Sequence, residues 1–295
     1  MKTIATIFSG CGGVELGAKA AGFESIWGVE NDPEVAEIFR QNIGSHIIYE
    51  NAADVDVASL KCPDILWASP PCQAFSSART VKTPHESHSA GLDIIRYIKV
   101  WRPEMFILEN VPGFRKSEVF WKILKALGNY FVWFGIVDAA DLGVPQHRRR
   151  LICIASRKLI RPFPRYAHVG WDAVIDAEHL IEAEFQPSIV RYLPDALPKS
   201  ALIDTQYSSR EEGMPRKVTI RCAGRPAFTI CKSHRKRNVR IWQGGISYKL
   251  LPRGFARLQS FPDSFKLPLS RQLAIGVLGD AVPPLMAQRI FEAVL

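Results

Sequence analysis

The chain has 295 residues, of which 47% are hydrophobic and 23% charged, with a formal net charge of +9. This is the balance of an ordinary globular protein holding one large core, or one core and a smaller lobe, and it excludes disorder as the default state. No apolar run approaches the roughly 18 to 20 residues that a membrane helix needs, so no membrane-spanning helix is expected.

The opening Met1 to Phe8 starts like an export signal. Gly10, Gly12, Gly13 and Glu15 then cut the apolar run short, and no cleavage-like site follows, so a cytoplasmic protein is expected. Thr3 to Phe8 reads as a buried strand, followed by a Gly-rich turn and a helix from about Val14 to Ala20 that Gly22 stops. Glu24 to Val29 is a second strand ending at Glu30, and Asp32-Pro33 reads as a helix cap with proline at the first helical position. Ile47 to Tyr49, Ile65 to Ala68, Met105 to Leu108, Val132 to Val137 and Leu151 to Ala155 are further strands. Short apolar runs alternating with helical patterns predict a parallel sheet with crossover helices. From about Ser156 to Pro252 the rhythm is lost and a second lobe is expected. After Pro283-Pro284 helical patterning resumes and returns to the first lobe.

In such a sheet ligands sit outside the carboxyl ends of the strands, where glycine lets backbone approach them closely. Phe8-Ser9-Gly10-Cys11-Gly12-Gly13 occupies the first such turn. Glu30, about 20 positions on, suits a ribose diol, and Asp54-Val55 could meet an adenine amino group. Nicotinamide and flavin enzymes share this logic, and a tight turn beside a surface glutamate would look the same.

The six cysteines show no paired short spacing of the zinc kind, and no metal site is expected. Cys11, Cys62 and Cys153 lie beside apolar segments and read as small hydrophobic fillers. Cys72 differs. Pro70-Pro71 fixes the backbone before it and polar Gln73 follows, so an exposed thiolate nucleophile at a strand's carboxyl end is the expectation. Glu109 closes the strand Met105 to Leu108 at the same sheet edge, where a carboxyl group could share a proton with a ring nitrogen. Gln146, Arg148 and Arg150 alternate, so one face of an extended segment carries all three. Two guanidiniums there could contact a carbonyl oxygen and phosphates, or simply be solvated.

The basic excess sits in one place. Tyr207 to Arg257 holds 13 Lys+Arg against 2 Asp+Glu, a balance of +11, and the remainder of the chain is at −2. Concentrated Lys/Arg displaces counterions from phosphates, which predicts a polyanion-binding surface.

At these residues the chain resembles the DNA cytosine-5 methyltransferases of the prokaryotic restriction-modification type, over nearly its whole length. The matching motifs are Phe8 to Gly13 with Leu16-Gly17, Pro70-Pro71-Cys72-Gln73 and Glu109-Asn110-Val111-Pro112-Gly113. Gln146-x-Arg148-x-Arg150, Arg257-Leu258-Gln259-x-Phe261-Pro262 and Gly279-Asp280-Ala281-Val282-Pro283-Pro284 complete the set. The resemblance implies an α/β fold: a Rossmann-like sheet dependent on S-adenosylmethionine, with a smaller, irregular target recognition domain. It divides the chain into a catalytic and cofactor-binding domain (1–156), the target recognition domain (157–252) and a return segment (253–295).

It also implies S-adenosylmethionine as methyl donor and a target cytosine rotated out of double-stranded DNA. Cys72 would add to C6, Glu109 would contact N3 and the exocyclic amine, and Arg150 would meet the base oxygen. Arg148 would hold the closed catalytic loop, and Pro71 would lend its carbonyl to the amine. Phe8, Ser9, Gly10, Gly12, Gly13, Glu30, Asp54, Val55, Leu92 and Asp280 would contact the cofactor. Asp280 stands where the family usually carries Asn, which puts the strength of cofactor binding in doubt. The segment from Gln73 to Gly91 resembles the family's mobile loop, with Gln73, Ser76 and Arg79 toward DNA. Phe228-Thr229-Ile230 matches the recognition domain's Thr-centred signature, and Thr229, Lys232, Arg235, Lys236, Arg237 and Arg240 are the further DNA-contact candidates. A monomer in the cytoplasm at the nucleoid is expected, with a cognate restriction endonuclease as candidate companion. The tRNA-methylating branch carries a Cys-Phe-Thr signature that is absent here. An inactive nucleic-acid-binding module would not need Cys72, Glu109, Arg148 and Arg150 together, and an oxidoreductase would leave Pro-Cys-Gln and the basic lobe unused.

Overall fold

The computed structural model describes residues 1–71, 91–160, 163–185, 187–205, 218–236 and 239–294. Strands β1 (Thr3–Ile7), β2 (Glu24–Glu30), β3 (Ile47–Tyr49), β4 (Ile65–Ala68), β5 (Met105–Asn110), β6 (Phe131–Asp138) and β7 (Arg149–Ser156) form one sheet in the order β3-β2-β1-β4-β5-β7-β6. All neighbours from β3 to β5 pair in parallel, and β7 runs against both β5 and β6. Strands buried on both faces are mostly apolar. β4 is buried at all four positions and β5 at all six. This is the Rossmann-like arrangement that the apolar runs predict.

Helices α1 (Gly13–Ala20), α2 (Pro33–Asn42), α3 (Ile94–Trp101) and α4 (Glu118–Leu127) follow β1, β2, β4 and β5 in the chain. Their starts are chemically specified. Asp32 accepts from the backbone N–H groups of Glu34 and Val35 with Pro33 at the first position, and Ser117 accepts from Phe120 N. Trp67, Phe106 and Phe120 are fully buried in the first unit's core, and each such side chain contributes roughly 2 to 3 kcal/mol over exposure. The order of strands reverses between β1 and β4, which opens a crevice at their carboxyl ends.

The chain divides into two compact units, residues 1–138, 149–165 and 284–295, and residues 139–148 and 166–283. The region read as irregular is better ordered than its sequence suggests. β8 (Leu180–Glu182), β9 (Ser200–Thr205), β10 (Val218–Cys222), β11 (Val239–Gln243) and β12 (Ile246–Leu250) form an antiparallel sheet in the order β10-β9-β11-β12-β8. The single turn α5 (Pro187–Val190) and helices α6 (Pro252–Leu258) and α7 (Arg271–Asp280) belong to the same unit. Only α8 (Pro284–Val294) returns to the first unit, whereas 253–283 and 139–148 group with the second. The reason is a polar knot inside that unit. Gln146 donates to Leu258 O and Gln259 Oε1, and its own Oε1 accepts from Ile230 N at 2.6 Å. Among the described residues no helix is long and apolar enough to cross a membrane.

Cys11 and Cys153 are buried fillers as expected, and burial pushes the Cys153 thiol up to about 12. Cys62 corrects the expectation. It is exposed, because the chain turns at Pro63-Asp64 before entering β4.

Candidate active site

The turn after β1 is wound tightly. Phe8, Gly10 and Gly12 all have left-handed backbone, with φ of 60°, 59° and 93°. Such a φ is costly for a phenylalanine and is held only by surrounding structure. At Gly12 a Cβ would collide with Ile43, while at Gly10 the space where a Cβ would stand is open. Gly10 N donates to Glu30 Oε2 at 2.9 Å, and Glu30 Oε1 accepts from Asn31 N and Asp32 N. Burial raises the Glu30 carboxyl above its ordinary range, against the lowering effect of those three N–H bonds. A glutamate fixed by backbone at a strand's carboxyl end, beside an open glycine, fits a ribose diol of a nucleoside cofactor.

Ser9 and Gly13 are buried behind this turn. The Ser9 hydroxyl lies 2.6 Å from Thr6 Oγ1, and Thr6 also donates to Glu15. The loop of Asp54 and Val55 is fixed from below. Arg96 donates to the carbonyls of Ala53 and Val55, and Tyr97 Oη donates to Ala52 O at 2.8 Å. Asp54 is exposed, Val55 is buried, and Leu92 packs partly buried against the core. Sequence reasoning missed Arg96, whose carbonyl partners lie more than 40 residues away.

At the neighbouring edge, β5 runs two residues further than expected. Glu109 and Asn110 pair with Ile152 and Leu151 of β7, and both are buried. Because β7 is antiparallel, its first residues lie at the carboxyl end of β5. That reversal carries Arg150 Nε to 2.9 Å from Glu109 Oε1, with both side chains nearly buried. Asn110 Nδ2 donates to Pro70 O at 2.8 Å, and its Oδ1 accepts from Val111 N. Pro71 is described and exposed. Cys72, Gln73, Ser76 and Arg79 lie outside the described residues.

The alternation of Gln146, Arg148 and Arg150 is present, but the two guanidiniums serve different partners. Arg148 is 1% exposed. It donates to the carbonyls of Ile230 at 2.8 Å, Gly279 at 3.0 Å and Ala281 at 2.8 Å, all within the second unit. Its donors point at backbone, not at a phosphate. Asp280 is likewise in the second unit, where Lys232 Nζ approaches its carboxylate at 3.0 Å. The carboxylate that departs from the family pattern therefore has a counter-charge.

The DNA-contact candidates separate in the same way. Thr229 is exposed and donates to His147 O at 2.6 Å. Arg240 is a correction, because it is 6% exposed on β11 and donates to Ala183 O, so it does not face solvent. Arg235 and Lys236 fall in the 3-10 turn Lys232–Lys236 without described side chains, and Arg237 lies outside the described residues. Among the described residues one cluster has ligand-like convergence, Asp176, Glu178 and His179. Arg257 already pairs with Asp176. His179 Nδ1 accepts from Asp176 N, which in the neutral ring leaves the proton on Nε2, 3.3 Å from Glu178 Oε1. Despite that distance the buried Nε2 makes no hydrogen bond among the described residues.

The family described as C-5 cytosine-specific DNA methylase matches residues 2–295. Type II methyltransferase M.AplI of Arthrospira platensis is 30% identical over 98% of this chain and 84% of its own length. Type II methyltransferase M1.HphI of Haemophilus parahaemolyticus is 29% identical over 99% and 86%. Among solved structures, S. pombe Dnmt2 methyltransferase superposes with a TM-score of 0.71 at 15% identity, over 98% of this chain and 97% of that one. A Spodoptera frugiperda DNMT2 variant gives 0.73 at 16% identity, over 99% of both chains, which speaks for the fold. The chain belongs to the C-5 cytosine-specific DNA methylase family and, with it, to the DNA (cytosine-5-)-methyltransferases.

Proposed function

We propose that this chain methylates C5 of a cytosine turned out of a specific double-stranded DNA sequence, through a transient bond between Cys72 and C6 of the base. The observation that carries the reading is the Glu109–Arg150 pair at 2.9 Å on the carboxyl edge of β5. It stands one residue from Asn110, which anchors Pro70, itself two residues before Cys72 in the chain. Acid, guanidinium and the approach to the thiol are thus tied to one strand end.

The chemistry accounts for each group. C5 of cytosine is a weak nucleophile until a thiolate adds at C6 and makes the ring an enamine. Glu109 holds or supplies the proton at N3 and so takes up the charge that this addition creates, while Arg150 fixes the orientation of its carboxyl group. S-adenosylmethionine, when bound, supplies an electrophilic methyl group on a sulfonium centre. Gly10, Glu30 and the Asp54-Val55 loop would hold it, the glutamate at the ribose. Loss of the C5 proton and expulsion of Cys72 restore the aromatic ring. A stacked base cannot be reached, so extrusion is required at a few kcal/mol. The reading includes action as a monomer, with residues 157–252 contributing target recognition.

The test uses DNA containing 5-fluorocytosine, whose C5 substituent cannot leave as a proton. The parent chain with S-adenosylmethionine is expected to form a covalent adduct that survives denaturation. Cys72→Ser should bind DNA, form no adduct and transfer no methyl group, and Glu109→Gln should lose about 100-fold or more in rate. Methylation by Cys72→Ser at parental rate would overturn the mechanism.

A further inference from the structure

Three chemically capable side chains that the methyl-transfer reading does not use meet in the second unit. His234 sits in the turn Lys232–Lys236, Asp204 lies on β9, and Cys231 directly precedes the turn. His234 Nε2 is 3.2 Å from Asp204 Oδ2, and its Nδ1 is 3.1 Å from Cys231 Sγ. The imidazole is 1% and the aspartate 2% exposed, while Cys231 is half-buried. The ring is held in place. It stacks on Phe228 with centroids 5.7 Å apart and planes at 10°, and it packs against Phe255. Nδ1 also lies 3.0 Å from Cys231 N and 3.1 Å from Cys231 O.

A buried carboxylate on one ring nitrogen and a thiol on the other is the geometry in which sulfur can pass its proton to imidazole. Burial opposes a charge on His234, yet the bonds to Asp204 and Cys231 outweigh it and hold the ring up to about 9. Ordinary exposed cysteines lack such a partner, and their thiolate fraction at neutral pH is a few per cent.

We propose that Cys231, His234 and Asp204 form a modification site at which Cys231 acts as an activated nucleophile toward small-molecule disulfides. Cys231 Sγ attacks one sulfur of the disulfide, a new S–S bond forms and the old one breaks. The departing sulfur leaves with the electron pair as a thiolate and takes up the proton that Cys231 gave to His234. The product is a mixed disulfide that a thiol reductant reverses. The site has consequences for its surroundings. Cys231 stands between Ile230, whose carbonyl binds Arg148 and whose N–H binds Gln146, and Lys232, which pairs with Asp280. A bulky group on the sulfur would push into that junction.

The test measures the labelling rate of each cysteine in the full chain at neutral pH, using an aromatic nitrophenyl disulfide and peptide mapping. Accessibility alone predicts that exposed Cys62 and Cys222 react first. The proposal predicts the opposite order, with Cys231 about tenfold or more faster than both. His234→Gln and Asp204→Asn should each remove most of that advantage while Cys62 and Cys222 keep their rates, and Cys72→Ser should leave it intact. Labelling of Cys231 at or below the rate of Cys62 and Cys222 in the parent overturns the proposal, whatever the stability of the variants. So does an unchanged Cys231 rate in His234→Gln.

Discussion

Glu15, on the first turn of α1, is 2% exposed and has Thr6 as its hydrogen-bond donor, and among the described residues its Oε2 has no partner. Burial pushes its carboxyl up to about 7. A folded value above the unfolded one of about 4.5 means that folding takes up a proton between those two pH values. The stability that this group confers is therefore complete below about 4.5 and is lost as pH rises through 7, by on the order of 3 kcal/mol. Glu15→Gln keeps the acceptor for Thr6 and removes the titration. Thermal unfolding should show the variant gaining on the parent from pH 5 to 8, and parallel curves for the two chains would count against it. The sequence gives no hint of this, since a glutamate in a helix's first turn looks like a solvated, dipole-favoured residue. The partner of Glu30, Gly10, stands 20 positions away in the first Gly-rich turn.

At the scale of elements, Arg148 is the lesson. The sequence places it in an alternating run with Gln146 and Arg150, and of the three Gln146 and Arg148 are buried and Arg150 is half-buried. Its partners Ile230, Gly279 and Ala281 lie 82, 131 and 133 residues away, beyond any pattern in the run itself. One planar fork closing three carbonyls in the interior cannot be replaced by an ammonium. Arg148→Lys is therefore expected to cost about 2 to 4 kcal/mol in chemical or thermal unfolding, because buried carbonyls are left without donors. A variant as stable as the parent would mean that the fork is dispensable. Strands β1, β4 and β5 were readable because each is a largely apolar run buried on both faces, whereas the half-exposed β6 was marked by its aromatic and β-branched residues. β5 was ended too early, at Leu108, because polar Glu109 and Asn110 look like a turn although the ladder continues through them. Strands β9 to β12 were not readable. They are short, carry charges such as Arg221, Arg240 and Lys249, and find their register only against each other.

For the whole molecule, the balance of +11 over 207–257 does not translate residue by residue into a DNA surface. Arg240 is spent inside and Lys232 is matched by Asp280. Each phosphate contact contributes about 0.9 to the slope of log affinity against log salt. Neutralising Arg235 and Arg237 should weaken DNA binding and flatten that slope by about 1 to 2, whereas Lys232→Ala should shift it by less than 1. An unchanged slope in the double variant would move the interface elsewhere. The two-lobe organisation was legible from the change of rhythm near Ser156. The division by contacts was not, because Gln146 and Gln259 tie distant stretches together through side-chain amides. One closure remains, that of α8 on α1. Gly17 packs so tightly against Pro284 and Ala287 that it has no room for a methyl group, and Phe291 lies against Phe23 and Trp67 at 5.1 and 5.4 Å. During synthesis at roughly 5 to 20 residues per second, β1 and α1 leave the ribosome well before α8 and wait many seconds for their seal. Throughout that interval a nascent chain shows Phe23 and Trp67 to whatever chaperone attends it, and a translation product cut short before Pro284 would never cover them.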